Sequence, residues 1–229
     1  MTDEGPTAGE VPTRGSGFAP AGAHEALGLA SYLRRLTALD SRAAVRIQAR
    51  GAVAGVFAGP PFEVVALRPV ALAAPVDVDA TVSAQRLLES LDAVEPGEAL
   101  MLPPPVVGPA WAGLLPPRTG WAPAGEVAAV AVAAAVRSAI VSFREKADRL
   151  PEAERTVDRL DTMAREVWRT PIVGSVPLRA AHAAEALGLL GREGDVLASA
   201  SGAWRRLRCA GGSVAVRDLD VPGLALLFS

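Results

Sequence analysis

Residues 203–217, with the sequence AWRRLRCAGGSVAVR, decide the C-terminal part of the fold. Apolar and polar residues alternate on both sides of a glycine pair, which is the pattern of a β-hairpin. A two-residue turn at Gly211 and Gly212 would place Arg206 opposite Arg217. Because directly opposed residues share a face, one face of this hairpin is predicted to be apolar. The other face carries Trp204, Arg206, Arg208, Ala215 and Arg217.

The polar face of this hairpin is a candidate nucleic-acid surface. The Trp204 indole can stack on a base, and the guanidinium groups of Arg206, Arg208 and Arg217 can hold phosphates. The alternative is an ordinary solvated face, since antiparallel sheets commonly expose one polar side to water. A DNA-reading helix-turn-helix at residues 180–189 is disfavoured, because the segment that should form its second helix is rich in glycine and β-prone residues.

Upstream, the N-terminal half predicts one helix followed by an antiparallel meander. Leucines recur at helical spacing through residues 25–39, which indicates an amphipathic helix. After Ala43 the apolar period changes to two, as in half-buried strands. We expect a turn at Gly51 and a short helix capped by Ser83. The strands are expected near residues 43–50, 53–57, 62–67 and 76–82.

Three helices are predicted ahead of the C-terminal hairpin. The apolar stripes of residues 126–150 and the helical spacing of residues 151–169 predict an αα-hairpin. Another alanine-rich helix is expected at residues 178–190, ending at Gly191. The fold class is therefore α+β, and its C-terminal part holds the helical hairpin, one further helix and a three-stranded antiparallel sheet. These last strands are expected near residues 196–199, 203–209 and 213–216.

Proline and glycine divide the chain into four parts. Residues 1–21 have few apolar anchors and are expected to be a disordered tail. A helix-plus-meander domain (22–95) and a domain of helical hairpin plus small sheet (126–229) flank a crossover rich in proline, glycine and tryptophan (96–125). A loop of this length is commonly either functional or a linker. Its residues Trp111, Arg118 and Trp121 are therefore candidates for binding a protein partner. The alternative is packing, in which the two Trp rings hold the crossover against the sheet, since Trp is usually largely buried.

Composition excludes several classes of site. The 229 residues carry a net charge of −2, with 50% hydrophobic and 21% charged residues, as in a globular protein with a sizeable core. Two histidines and one cysteine are too few for a zinc ribbon, a disulfide framework or a paired-cysteine redox motif. The sequence has no phosphate-binding glycine loop and no hydrolase nucleophile motif. We therefore expect no cofactor and no metal.

The sequence also bears on cellular location. Residues 1–6 lack the basic segment and apolar run of a signal peptide. The strongest membrane candidate, residues 127–143, is built on alanine and interrupted by Arg137, Ser138 and Ser142. We therefore expect a cytoplasmic protein without membrane contact.

These observations predict a binding or adaptor protein without a recognisable catalytic set, whose partner is a protein or a nucleic acid. The alternative is an enzyme whose site is assembled from residues distant in sequence, around His182 and the arginine-bearing sheet face. Asp77 and Asp79, two residues apart on one predicted strand, are further candidate residues for such a site. The alanine-rich hairpin of residues 126–169 would also allow two copies to pack as a homodimer, because small residues let helices approach closely.

Overall fold

The computed structural model describes residues 17–218, and it builds them into one large antiparallel sheet with helices packed on one face. The α+β class expected from the sequence is confirmed. The helices are α1 (Ala23–Leu39), α2 (Ala84–Asp92), α3 (Ala129–Asp148), α4 (Val157–Arg169) and α5 (Leu178–Ala186). The strands are β1 (Gly17–Phe18), β2 (Ala44–Ala58), β3 (Val65–Ser83), β4 (Leu100–Met101), β5 (Ala122–Ala128), β6 (Pro171–Val173), β7 (Val176–Pro177), β8 (Asp195–Ser201), β9 (Trp204–Cys209) and β10 (Gly212–Arg217).

The predicted four-stranded meander is instead one hairpin of two long strands, β2 and β3. They pair along almost their whole length, and the register shifts once, between Gly51 and Val53. Gly51 has a φ of 93°, which glycine adopts at little cost, so it forms a bulge where the sequence suggested a turn. Ala49 before the bulge and Ala54 after it both face the core. Odd-numbered residues of β2 therefore point inward before the bulge, and even-numbered residues do so after it. In the sequence, this change of pattern looks like the end of one strand and the start of another.

Part of the predicted disordered tail, residues 17–21, belongs to the fold. Phe18 pairs with Leu100 in the two-stranded ribbon of β1 and β4. Phe18 is only 2% exposed, and burial of a large aromatic ring holds this segment against the core. The rest of the predicted tail, residues 1–16, lies outside the described residues, as do residues 219–229.

Helix α1 covers an arginine on the core side of the sheet. Arg68 lies opposite Val56 in the β2–β3 register, among residues that face inward. Its guanidinium passes so close to Gly28 of α1 that a Cβ at Gly28 would collide with it. Tyr32, one helical turn further along, is also buried, and this burial raises the pKa of its hydroxyl while the charge of Arg68 opposes the rise. Glycine at position 28 is therefore explained by the arginine beneath the helix.

The predicted αα-hairpin is present, with different boundaries. Residues 122–128 form β5, which pairs with β8, so the helix α3 begins only at Ala129. Helix α4 begins at Val157 rather than at Pro151, because the Thr156 hydroxyl accepts a hydrogen bond from the Arg159 backbone N–H, at 3.3 Å. The crossover between β4 and β5 is correspondingly shorter than predicted.

The segment after α5 is a strand, as the β-prone sequence indicated. Helix α5 ends four residues before the predicted position, and Gly188, with a φ of 72°, follows in the reversal of the chain. Strand β8 begins at Asp195, so the second helix of a helix-turn-helix is absent between α5 and β8. Within the described residues, no helix is long and apolar enough to cross a membrane.

The β9–β10 hairpin differs from its predicted register. Its turn consists of Ala210 and Gly211, so that Gly212 already pairs with Cys209. The predicted pairing of Arg206 with Arg217 is wrong: Arg217 lies opposite Trp204, and Arg206 lies opposite Ala215. The observed register differs from the predicted one by two residues. Because side chains alternate between the two faces with a period of two, each residue still lies on its predicted face. The apolar face is buried as predicted, through Leu207, Cys209, Val214 and Val216.

The three predicted C-terminal strands extend at both edges into the larger sheet. The strand order is β2-β3-β10-β9-β8-β5, all antiparallel. Strand β10 joins the two halves, because its residues Ser213, Val214 and Ala215 pair with Leu67, Ala66 and Val65 of β3. Residues of α1 and α5 consequently lie in the same buried cluster, and one core serves both halves of the chain.

We predict that Gly212→Ala weakens the junction between β10 and β3. Gly212 has a φ of 152°, and a Cβ there would collide with the carbonyl oxygen of Leu67. We expect the free energy of unfolding to fall by about 2 kcal/mol or more, since backbone strain alone costs about 1–3 kcal/mol. Urea unfolding followed by circular dichroism measures this loss. The control is Gly113→Ala, whose added Cβ meets no atom within 4 Å, and equal stability of the two variants would contradict the junction role.

Candidate nucleic-acid and partner interface

The two candidate surfaces predicted from the sequence meet at Trp121. The guanidinium carbon of Arg206 lies 4.0 Å from the centroid of the Trp121 ring, a cation–π contact. The Arg206 Nε donates a hydrogen bond to the Ser199 hydroxyl at 3.2 Å. The Trp121 indole N–H donates to the Pro117 carbonyl oxygen at 2.8 Å, which closes the end of the crossover. The crossover is therefore fixed onto the face of β8 and β9 that points away from the helices.

A second set of contacts fixes the crossover to β2. Arg118 donates to the Gln48 side-chain oxygen at 3.2 Å, and Gln48 donates in turn to Asp79 at 3.1 Å. Arg46 holds the same carboxylate through two hydrogen bonds, of 2.9 and 3.0 Å, and also donates to the Ala112 carbonyl oxygen. The hydrogen bond from Arg46 is the main reason that the pKa of Asp79 lies below its usual value. Alternation along β2 predicts that Arg46 and Gln48 share a face, but not that the crossover binds them.

Three arginines on this outer face make no direct ion pair within the described residues, although the charge of Arg118 contributes to the lowered pKa of Asp79. They are Arg118, Arg206 and Arg208, and Arg208 is exposed. Burial, followed by the charge of Arg208, lowers the pKa of Arg206. The two guanidiniums therefore repel each other, and an anion placed between them would relieve that repulsion. This set, with Trp121, is called the outer arginine face below.

Trp204 and Arg217 lie at a different place from Arg206 and Arg208 along the hairpin. They face each other where β9 begins and β10 ends, and both line a cavity of about 720 Å³. The four residues predicted to bind nucleic acid thus share one face, but they lie in two different environments: two line the cavity, and two belong to the outer arginine face. The side chain of Trp111, also predicted to bind a partner, lies outside what the structure describes.

The central residue of the alternative enzyme site, His182, has a packing role in the structure. The His182 ring stacks on Trp168, with centroids 4.5 Å apart and planes 9° apart, and it also contacts Phe62 at 4.8 Å. Burial lowers the pKa of His182, so the ring is neutral at pH 7. Glu185, three residues after His182 on α5, lies 3.9 Å from Arg137. The His182 ring on α5 therefore packs between Trp168 of α4 and Phe62 of the β2–β3 turn.

The remaining titratable candidates do not assemble a metal site within residues 17–218. Asp77 and Asp79 share a face, as predicted, but Asp77 lies opposite Arg50 and Asp79 is held by Arg46. The described residues contain no group of three or more potential metal-binding side chains. Cys209 points into the core, where burial raises the pKa of its thiol to about 12. A thiol with so high a pKa is almost entirely protonated at pH 7 and is a poor nucleophile.

Two families match the sequence, one in each half of the chain. Residues 14–113 match the family described as Domain of unknown function (DUF8010), and residues 116–220 match Domain of unknown function (DUF8185). The two matches meet inside the crossover. No curated protein matches the sequence.

Among solved structures, the chain is similar to DNA polymerase III subunit beta from Borrelia burgdorferi, with a TM-score of 0.53 and 7% identity over 89% of this chain and 66% of that one. The chain shares its fold with the matching part of that subunit, which is a DNA polymerase sliding clamp. The same subunit from Pseudomonas aeruginosa is matched with a TM-score of 0.48 and 12% identity, again over 89% and 66%. The chain therefore spans just under two thirds of the clamp subunits it matches. At these sequence identities, the similarity to clamp subunits establishes the fold alone.

We predict that Trp121 and Arg206 are energetically coupled. A double-mutant cycle of Trp121→Ala and Arg206→Ala should give a coupling free energy of about 0.5–2 kcal/mol in urea unfolding, as expected for a partly desolvated cation–π contact. The matched cycle pairs Trp121→Ala with Arg208→Ala, for which no ring contact exists among the described residues. Additive effects in both cycles would show that the contact does not hold the crossover.

We predict that His182 makes the protein less stable as the pH falls. Because burial lowers the pKa of His182 in the folded state, its neutral form favours folding above the unfolded pKa of about 6.5, and this contribution is lost as the pH drops below that value. The urea midpoint should fall between pH 7.5 and 6.0 more steeply in the wild type than in His182→Phe, which keeps a ring but cannot titrate. The same pH dependence in both proteins would refute this assignment.

Proposed function

We propose that this chain is a non-catalytic binding protein that engages nucleic acid through the outer arginine face of its sheet. The observation that carries the proposal is the pair of arginines Arg206 and Arg208, neighbours on one face of β9, with the exposed Arg118 on the same outer side of the sheet. None of the three makes a direct ion pair within the described residues. Guanidinium groups bind phosphate oxygens through paired N–H donors, and a polymer of phosphates releases counterions when it is bound. An aromatic ring beside them, Trp121, adds a surface on which a base can stack.

The helical side of the molecule is a weaker candidate for the same task. Helix α4 carries three arginines and three acidic residues, and α3 carries three basic and two acidic residues. Charges of both signs therefore alternate along these helices, and a polyanion would gain little from them. The outer arginine face is the better site because Arg206 and Arg208 are close enough to repel each other and make no ion pair within the described residues.

The clamp-like fold supports an adaptor, because the Borrelia burgdorferi neighbour is by name a subunit of a DNA polymerase. The charge distribution carries the nucleic-acid assignment, since identity with that neighbour is 7%. A protein partner at the crossover is the alternative, and Trp121 would then be its central contact. The homodimer through α3 and α4 and the cytoplasmic location stay predictions from the sequence.

Fluorescence anisotropy with short labelled single-stranded and duplex oligonucleotides tests the proposal. At low salt we expect micromolar binding that weakens as salt is added. The double variant Arg206→Gln and Arg208→Gln should weaken binding and lower the slope of log K against log salt by about 2, one for each phosphate contact.

The matched control is the double variant Arg144→Gln and Arg159→Gln, which removes two exposed arginines from α3 and α4. Its net charge equals that of the Arg206→Gln and Arg208→Gln variant. It should bind like the wild type. Equal losses in both variants would reduce the interaction to net charge alone and overturn the assigned face. If the folded wild type shows no binding at tens of micromolar, the nucleic-acid proposal fails.

A further inference from the structure

A cavity of about 720 Å³ opens at the end of the sheet where β9 begins and β10 ends. Its walls come from the β2–β3 turn, the start of α5, the crossover and the two strands of the last hairpin. This volume lies within the range of about 300–1,000 Å³ that is typical of sites for small molecules. Its charged lining consists of Arg169, Arg179, Arg205 and Arg217, against Glu63 and Asp218.

The guanidinium groups in this cavity outnumber the partners available to them. Arg205 donates to the carbonyl oxygens of Gly202 and Trp204, at 2.7 and 3.1 Å, and lies 4.0 Å from Asp218. Within residues 17–218, Arg169, Arg179 and Arg217 have no carboxylate at ion-pair distance. The arginines therefore leave an excess of positive charge in the cavity.

Two arginines of the cavity lining also contain a buried donor that lacks an acceptor. The Nε atoms of Arg179 and Arg205 are both buried and have no hydrogen-bond partner among the described residues. A buried unpaired donor costs free energy. The Arg179 guanidinium makes no hydrogen bond within the described residues, so its terminal nitrogens remain available to an anion. Arg179 is the stronger pointer to a ligand, because Arg205 already uses another of its nitrogens for two carbonyl oxygens.

The rest of the lining suits an apolar or aromatic group attached to the anion. The indole of Trp204 and the side chains of Leu114 and Val65 contribute to the wall. At the β2–β3 turn, Glu63 holds a φ of 55°, which side-chain-bearing residues rarely adopt, and its exposed carboxylate lines the same cavity. A negative charge at this point opposes a long acidic chain more than a single anionic group. The lining therefore favours a small ligand with one anionic head over an acidic peptide.

We propose that this cavity binds a small organic phosphate ester, whose phosphate is held by Arg179 with Arg169 and Arg217 and whose apolar part lies against Trp204. A dianionic phosphate matches three guanidiniums better than a monoanionic carboxylate does, because it offers more acceptor oxygens and more charge. The site is separate from the outer arginine face, since Arg206 and Arg208 do not line the cavity.

Isothermal titration calorimetry with phenyl phosphate, inorganic phosphate and benzoate tests this proposal. We expect saturable binding of phenyl phosphate, about tenfold or more tighter than that of inorganic phosphate, because the ring adds burial against Trp204. Benzoate should bind more weakly than phenyl phosphate. Arg179→Gln should weaken phenyl phosphate binding about tenfold or more, which is the usual loss for a hydrogen bond to a charged group.

The exposed Arg169 gives a second variant, Arg169→Gln, in case loss of Arg179 unfolds the protein, and it should also weaken binding. The control Arg144→Gln removes one arginine outside the cavity and should bind phenyl phosphate like the wild type. Oligonucleotide binding should be unchanged in Arg179→Gln, which separates this site from the outer arginine face. Absence of saturable binding, equal binding of benzoate, or equal binding by a folded Arg169→Gln or Arg179→Gln protein would overturn the proposal.

Discussion

Three residue pairs between β10 and β3 hold the two halves of the chain in one sheet. Strand β10 can pair there because Gly212 leaves room for the Leu67 carbonyl oxygen. Without that pairing, the β2–β3 hairpin and the β8–β10 strands would each keep an open edge, and open edges are prone to pairing with other chains. The same junction brings the β2–β3 turn beside the start of β9, so the cavity exists only because the halves are joined.

The crossover is the second constraint, and polar contacts help to fix it to the sheet. Arg46 binds Asp79 and a carbonyl oxygen of the crossover, while Arg206 lies on the ring of Trp121. Arginine suits both tasks, because its planar group can donate several hydrogen bonds and stack on a ring. Arginines on the outer face therefore divide between holding the crossover and remaining available to a ligand. Arg208, which is exposed and without an ion pair in the described part of the chain, is the clearest member of the second group.

The sequence predicts the elements of this fold better than their connections. Local signals were sufficient for α1, for the cap of α2 at Ser83 and for the three C-terminal strands. Pairing between β10 and β3 joins residues about 150 positions apart, and no local periodicity encodes such a contact. The turn at Ala210 was missed because Gly211 and Gly212 look like a turn, whereas Gly212 is needed for the close approach of Leu67. Faces were nevertheless predicted correctly, since an error of two residues preserves the alternation.

The candidate sites show the same division between local and distant information. The residue chemistry of Trp121 and of Arg206 makes each a candidate in the sequence, yet only the folded chain shows that they touch. The sequence places Arg179 beside His182 but does not mark it as an anion ligand. That significance comes from its lack of hydrogen bonds within the described residues and from the arginines on other elements. A flat face with exposed arginines suits an extended polyanion, while a recess with buried donors suits a compact one. The two proposed anion-binding environments therefore differ in geometry, although both are built from the same residue type.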